Sequence, residues 1–175
     1  MKNDYLMPIL VLALICLFVS GALALCNSFT EPVIAAAGAQ RAQTARDDII
    51  PGAGGFISLA IDGLPGTITE VYEAANGSGY IFMITTTGYG GEIRLICGID
   101  TDGKLIKCTM LTNAETKGLG TKVFEDAHTS QYLGKDSRLE GVSAITGATI
   151  SSNAYRNAVL DAFAAYEALA ARNAP

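Results

Sequence analysis

At 175 residues the chain has the length of one ordinary domain plus an appendage. Half of its residues are hydrophobic and the mean hydropathy is +0.32, high for a purely soluble domain. The net charge is −5, and an acidic chain gains nothing from neutralising phosphates, so nucleic acid is excluded as an expected partner.

The apolar excess lies at the N-terminus. No charge occurs from Leu6 to Leu25, and about twenty helical residues span the roughly 30 Å of a hydrocarbon core. Pro8 falls in the first turn, where it does little harm. A secretory signal has a shorter apolar region, and Ala22-Leu23-Ala24 has the small-x-small form of a cleavage site. Both readings stand, and length favours a retained anchor. Leu25 before Cys26 is a poor lipidation box. Lys2 precedes the span and no Lys or Arg follows until Arg41, which predicts a cytoplasmic N-terminus and an external domain. The expected organisation is 1–5 cytoplasmic, 6–26 transmembrane, 27–50 a connecting helix and 51–175 the folded domain. Thr30-Glu31-Pro32 reads as the start of that connecting helix, with Thr30 as N-cap and proline in the first turn.

Five β-like runs follow: Phe56–Ile61, Thr67–Ala74, Tyr80–Thr87, Ile93–Ile99 and Leu105–Leu111. Turn residues separate them, and Asp102-Gly103 predicts a tight hairpin. Cys97 and Cys108 sit in adjacent runs and read as two buried thiols rather than a disulfide, because free cysteine behaves as a small core hydrophobe. Cys16 and Cys26 lie in or beside the apolar span, and no C-x-x-C pair exists, so the spacing offers no zinc or iron–sulfur site. A short helical piece is predicted at Thr121–His128, with His128 at the surface or the boundary and without chemistry. The last helix is predicted from about Ser151 to Ala171, capped by Ser151 or Ser152. Its apolar face is Tyr155, Ala158, Val159, Ala162, Phe163, Tyr166 and Leu169. The expected class is α+β: a mainly antiparallel sheet carrying a C-terminal amphipathic helix, behind one transmembrane helix. Tyr80, Tyr89 and Tyr155 read as packing residues.

Thr146-Gly147-Ala148-Thr149 stands just ahead of that helix. A hydroxyl on a small-residue turn beside a helix N-terminus is a candidate anion site, because unpaired N–H groups and the macrodipole meet there. Alone, such a tetrapeptide is an ordinary cap. Three companions change that reading: Gly88-Tyr89-Gly90-Gly91-Glu92-Ile93, then Gly98-Ile99-Asp100 with Asp102-Gly103-Lys104-Leu105, then Glu115-Thr116-Lys117-Gly118-Leu119-Gly120. In this order and spacing, over roughly residues 50 to 171, they resemble the covalent FMN-binding domains of bacterial membrane redox pumps. The resemblance is greatest to the G subunits of Rnf-type electron-transport complexes, with the C subunit of the sodium-pumping NADH:quinone reductase a longer relative.

The resemblance implies FMN bound to Thr149 through a phosphoester, with Thr146, Gly147 and Ala148 completing the attachment motif. It implies a flavin region lined by Glu115, Thr116, Leu119, Gly120, Thr121 and Lys122, with Leu119 against the ring and Lys122 placing a positive charge near it. It also implies a separate flavin transferase and the other subunits of a multi-subunit membrane redox complex as partners. The implied role is electron carriage within a machine that couples ferredoxin–NAD⁺ electron transfer to Na⁺ or H⁺ movement. The chain has no G-x-G-x-x-G turn of its own for binding NAD and no catalytic or metal-binding set is expected. Two positions depart from the family pattern: Ser143 stands where Asp is usual, and Lys117 where proline is usual. The alternatives are an FMN carrier for another outer-face reductase, and a ligand- or partner-binding domain of this fold without a redox centre.

Overall fold

The computed structural model describes residues 6–61 and 63–173. The segment 1–5, expected on the cytoplasmic side, lies outside the described residues. Two units separate, Met1–Gln40 and Arg41–Pro175. In the first, helix α1 (Leu6–Ile49, its last turns belonging to the second unit) is long and apolar enough to cross a membrane.

The helix start expected at Thr30 is corrected: α1 runs through Pro32 without a break. The Thr30 hydroxyl donates back to the carbonyls of Cys26 and Asn27 at 3.1 and 3.3 Å, and Ser28 Oγ donates to Leu25 O at 2.8 Å. These are bonds of hydroxyl residues inside a helix, not of an N-cap. Proline removes one ladder bond here, and the apolar and Ala-rich sequence on both sides carries the helix across it.

In the second unit, short runs rich in apolar and β-branched residues between turns build five strands: β1 (Phe56–Leu59), β2 (Ile68–Ala74), β3 (Gly79–Thr87), β4 (Glu92–Asp100) and β5 (Leu105–Asn113). All neighbours are antiparallel in the order β1-β2-β3-β4-β5, as the run of short turns requires. The Asp102-Gly103 turn closes as expected. Asp100 Oδ1 accepts from the N–H groups of Asp102 and Lys104 at 2.9 and 2.8 Å, and Gly103 adopts φ +74°.

Both faces of the sheet are covered. Phe82, Ile84, Leu95, Cys97 and Ile99 point to one side, where they meet the last helix, α3 (Thr149–Asn173). Of the seven residues the sequence pattern selects for its inward face, Tyr155, Ala158, Val159, Ala162, Phe163 and Leu169 are buried and Tyr166 is partly buried against the same core. Ile81 and Ile96 point to the other side, against Ile49, Ile50 and Ala53. Gly98 marks the closest approach there, because a Cβ on it would overlap the Ile49 side chain. Gly98→Ala is therefore expected to destabilise the domain by about 1–3 kcal/mol, read as a lower urea midpoint. An unchanged midpoint would show that Ile49 moves aside freely.

Three residues of the second unit differ from the sequence reading. Cys97 and Cys108 form a disulfide rather than two thiols. The β4–β5 register makes them direct cross-strand partners, a juxtaposition that the composition of two apolar runs cannot reveal. His128 is buried, not superficial, at 2% exposure. It lies in helix α2 (Asp126–Thr129), between two 3₁₀ turns, η1 (Gly120–Phe124) and η2 (Ser130–Tyr132). Its Nδ1 pairs with Val123 O at 2.9 Å, and its ring stands edge-on to Tyr132 and Tyr155.

That aromatic cluster predicts an alkaline transition. Burial pushes the Tyr132 phenol up from 10.0 to about 12, against a small opposing effect of Arg156, and burial also raises Tyr155. The folded state thus keeps protons that the unfolded chain releases, so stability falls as pH rises from 10 toward 12. The urea midpoint should drop over that range, and Tyr132→Phe should flatten the drop.

Candidate functional site

The last helix begins at Thr149, two residues before its expected start. Neither serine caps it in the expected way. Ser152 Oγ accepts from Ile145 N–H at 3.0 Å, which ties down the loop ahead of the helix. Ala148 N–H reaches back to Ile145 O at 3.0 Å, and the helical ladder opens with Ser152 N–H to Ala148 O at 2.9 Å. The amides of residues 149–151 precede that first bond and have no helical acceptor. Thr149 is exposed.

These residues form one wall of a cavity of about 430 Å³, built from Gly147, Ala148, Thr149, Ile150 and Ser151. The opposite wall is Glu115, Thr116, Leu119 and Gly120, with Tyr89 from the β3–β4 turn. Gly147 is at φ +85°, and a Cβ there would sit 3.4 Å from Leu119 Cδ1, so the two motifs pack directly on each other. Cavities of 300–1,000 Å³ with apolar walls and a few polar groups are typical small-molecule sites.

Glu115 is the charged residue of the lining. It is 8% exposed, and neither carboxylate oxygen has a hydrogen-bond partner. Its own N–H donates to Asn113 Oδ1 at 2.9 Å. Glycine makes room for its side chain, since a Cβ on Gly88 or on Gly120 would overlap the carboxylate oxygens.

Seven of the ten residues expected from the motifs thus meet in one cavity: Thr149, Gly147, Ala148, Glu115, Thr116, Leu119 and Gly120. Three do not line it. Thr146 is exposed on the approach to α3. Thr121 serves the turn, its Oγ1 accepting from Gly118 N–H at 3.0 Å. Lys122 is exposed on the first 3₁₀ turn. Sequence reasoning misses Tyr89, Ile150 and Ser151 as wall residues. Tyr89 reads in sequence as a packing residue, yet it is 74% exposed. A signal does exist: a large aromatic residue flanked by Gly88, Gly90 and Gly91. A Cβ on Gly90 would overlap Ala114 O, so these glycines let the turn lie on the 114–115 backbone.

Residues 88–164 match the family described as the FMN-binding domain. The G subunit of the Na⁺-translocating ferredoxin:NAD⁺ oxidoreductase complex of Acetobacterium woodii is 29% identical over 188 aligned residues, covering 91% of this chain and 90% of that protein. The G subunit of the proton-translocating ferredoxin:NAD⁺ oxidoreductase complex of Clostridium ljungdahlii is 32% identical over 104 residues, 52% of this chain and 56% of the relative. The G subunit of an ion-translocating oxidoreductase complex of Cereibacter sphaeroides is 30% identical over 149 residues, 80% of this chain and 64% of the relative. This chain therefore spans less than two thirds of the latter two relatives. The cavity is built from segments that both lie within the matched residues 88–164, and the chain is similar, along most of its length, to the G subunits of ion-translocating oxidoreductase complexes.

Proposed function

We propose that this chain is an electron-carrier subunit of a membrane complex that passes electrons between ferredoxin and NAD⁺ and moves Na⁺ or H⁺, with FMN esterified to Thr149. The observation that carries the reading is the position of Thr149: exposed, first in its helix, and on the wall of a cavity that lies within the matched FMN-binding domain. FMN, when bound, supplies reversible electron uptake and release.

The residues suit each part of that group. The unpaired amides of residues 149–151 and the helix dipole favour the phosphoester anion by about 0.3–1 kcal/mol. Leu119, Tyr89 and Ile150 offer apolar surface for the ring. The orphaned oxygens of Glu115 accept hydrogen bonds from the hydroxyl or imide N–H donors of a flavin. Esterification forms a bond from the Thr149 oxygen to phosphorus, releases the hydroxyl proton, and breaks the bond from that phosphorus to the phosphate leaving group of an activated flavin nucleotide donor. A threonine hydroxyl needs activation for this. His128 is buried with its Nδ1 committed to Val123 O and does not line the cavity, which favours a separate transferase over self-attachment.

The subunit lies in the cell membrane with a cytoplasmic N-terminus and the domain on the outer face. Two features support this sidedness: the lack of Lys or Arg between the span and Arg41, and a disulfide, which persists in oxidising compartments. Covalent tethering suits such a place, where lost FMN is not readily replaced. Its partners are the other subunits of the complex.

Co-expression with a flavin transferase tests the reading. In-gel fluorescence after denaturation and an intact mass higher by one FMN less one water are expected. A bare polypeptide mass under those conditions would refute it.

A further inference from the structure

Glu115 is the one charged residue among those lining the cavity. Among the described residues no ion pair includes it, and both of its side-chain oxygens lack partners. Its placement is built rather than incidental. Gly88 in the β3–β4 turn and Gly120 in the 115–120 segment, far apart in sequence, both leave the space that its carboxylate fills. The cation expected to act on the ring, Lys122, is exposed and off the cavity wall. Among the side chains, the charge nearest the cavity is therefore that of Glu115, and a buried charge is screened far less than an exposed one.

We propose that Glu115 is a potential-setting residue, whose carboxylate lowers the midpoint potential of the flavin held in this cavity. The proposal rests on the reading of the cavity as an FMN site. Reduction adds electron density to the flavin, and a fixed negative charge beside it disfavours the reduced form. The carboxylate needs no co-reactant for this, since it neither gains nor loses electrons. Gly88 and Gly120 act through it by holding it in place.

Spectroelectrochemical titration of the flavin-loaded protein at fixed pH provides the test, comparing wild type with Glu115→Gln, Glu115→Met and Lys122→Met. At the wild-type midpoint, both neutral Glu115 variants should raise the reduced-to-oxidised ratio by roughly tenfold or more. Lys122→Met should change it by less than about twofold. Glutamine keeps the shape, and methionine needs no hydrogen-bond partners, so failure of one variant to fold leaves the other as the probe. An unmoved ratio in a folded, loaded neutral variant overturns the proposal. So does a rise with glutamine but not with methionine, which would trace the effect to hydrogen bonding rather than charge. A wild-type protein that takes up no flavin overturns this proposal and the FMN reading together, whereas a loaded protein with an insensitive potential overturns this one alone.

Discussion

Thr149→Ala is expected to abolish covalent flavin while leaving the domain folded. The residue is exposed, it is the first of α3, and no side-chain hydrogen bond depends on it among those of the described residues. Alanine is the best helix former, so the change in stability should stay within about 0.5 kcal/mol. Fluorescence in a denaturing gel should therefore vanish with no loss of the urea midpoint. Thr149→Ser keeps an oxygen at the same place and should retain some modification. Thr146→Ala, off the cavity wall, should remain flavinylated. A Thr149→Ala protein that still carries flavin through unfolding would place the ester elsewhere and remove the main support for the proposed role.

The second large effect concerns stability. Replacing Cys97 and Cys108 together by alanine should lower stability by about 2–3 kcal/mol, the loop-closure entropy restored to an unfolded chain across an 11-residue separation. Both positions are almost fully buried, at 0% and 4% exposure, so small cavities add to the loss. The melting temperature should fall by roughly 10 °C. Adding a strong reductant to the wild type should reproduce most of the fall. A wild type indifferent to reductant would mean that the cross-link contributes nothing to the folded state.

Much of the fold is legible in the sequence because its signals are local. Short apolar runs such as Ile81–Ile84 and Leu95–Ile99, together with turn chemistry at Asp102-Gly103, locate strands to within a residue or two. The periodicity of Tyr155 to Leu169 selects the buried face of α3 correctly. What fails depends on partners far away in the chain. Whether Cys97 meets Cys108 depends on register, and whether His128 is covered depends on Tyr132 and Tyr155 closing over it. Thr30-Glu31-Pro32 misleads for the opposite reason. A local start signal is overridden by strong helix formers on both sides. The cavity follows the same division. Its two motif segments are visible in sequence, whereas Tyr89 joins them only because the β3–β4 turn lies on the end of β5.

The loop ahead of Thr149 is held by hydrogen bonds within the chain. Ser143 gives both its N–H and its hydroxyl to Gln131 Oε1 at 3.0 Å, and Ile145 is held by Ser152. On the proposed reading, a maturation factor meets a finished surface rather than a floppy peptide.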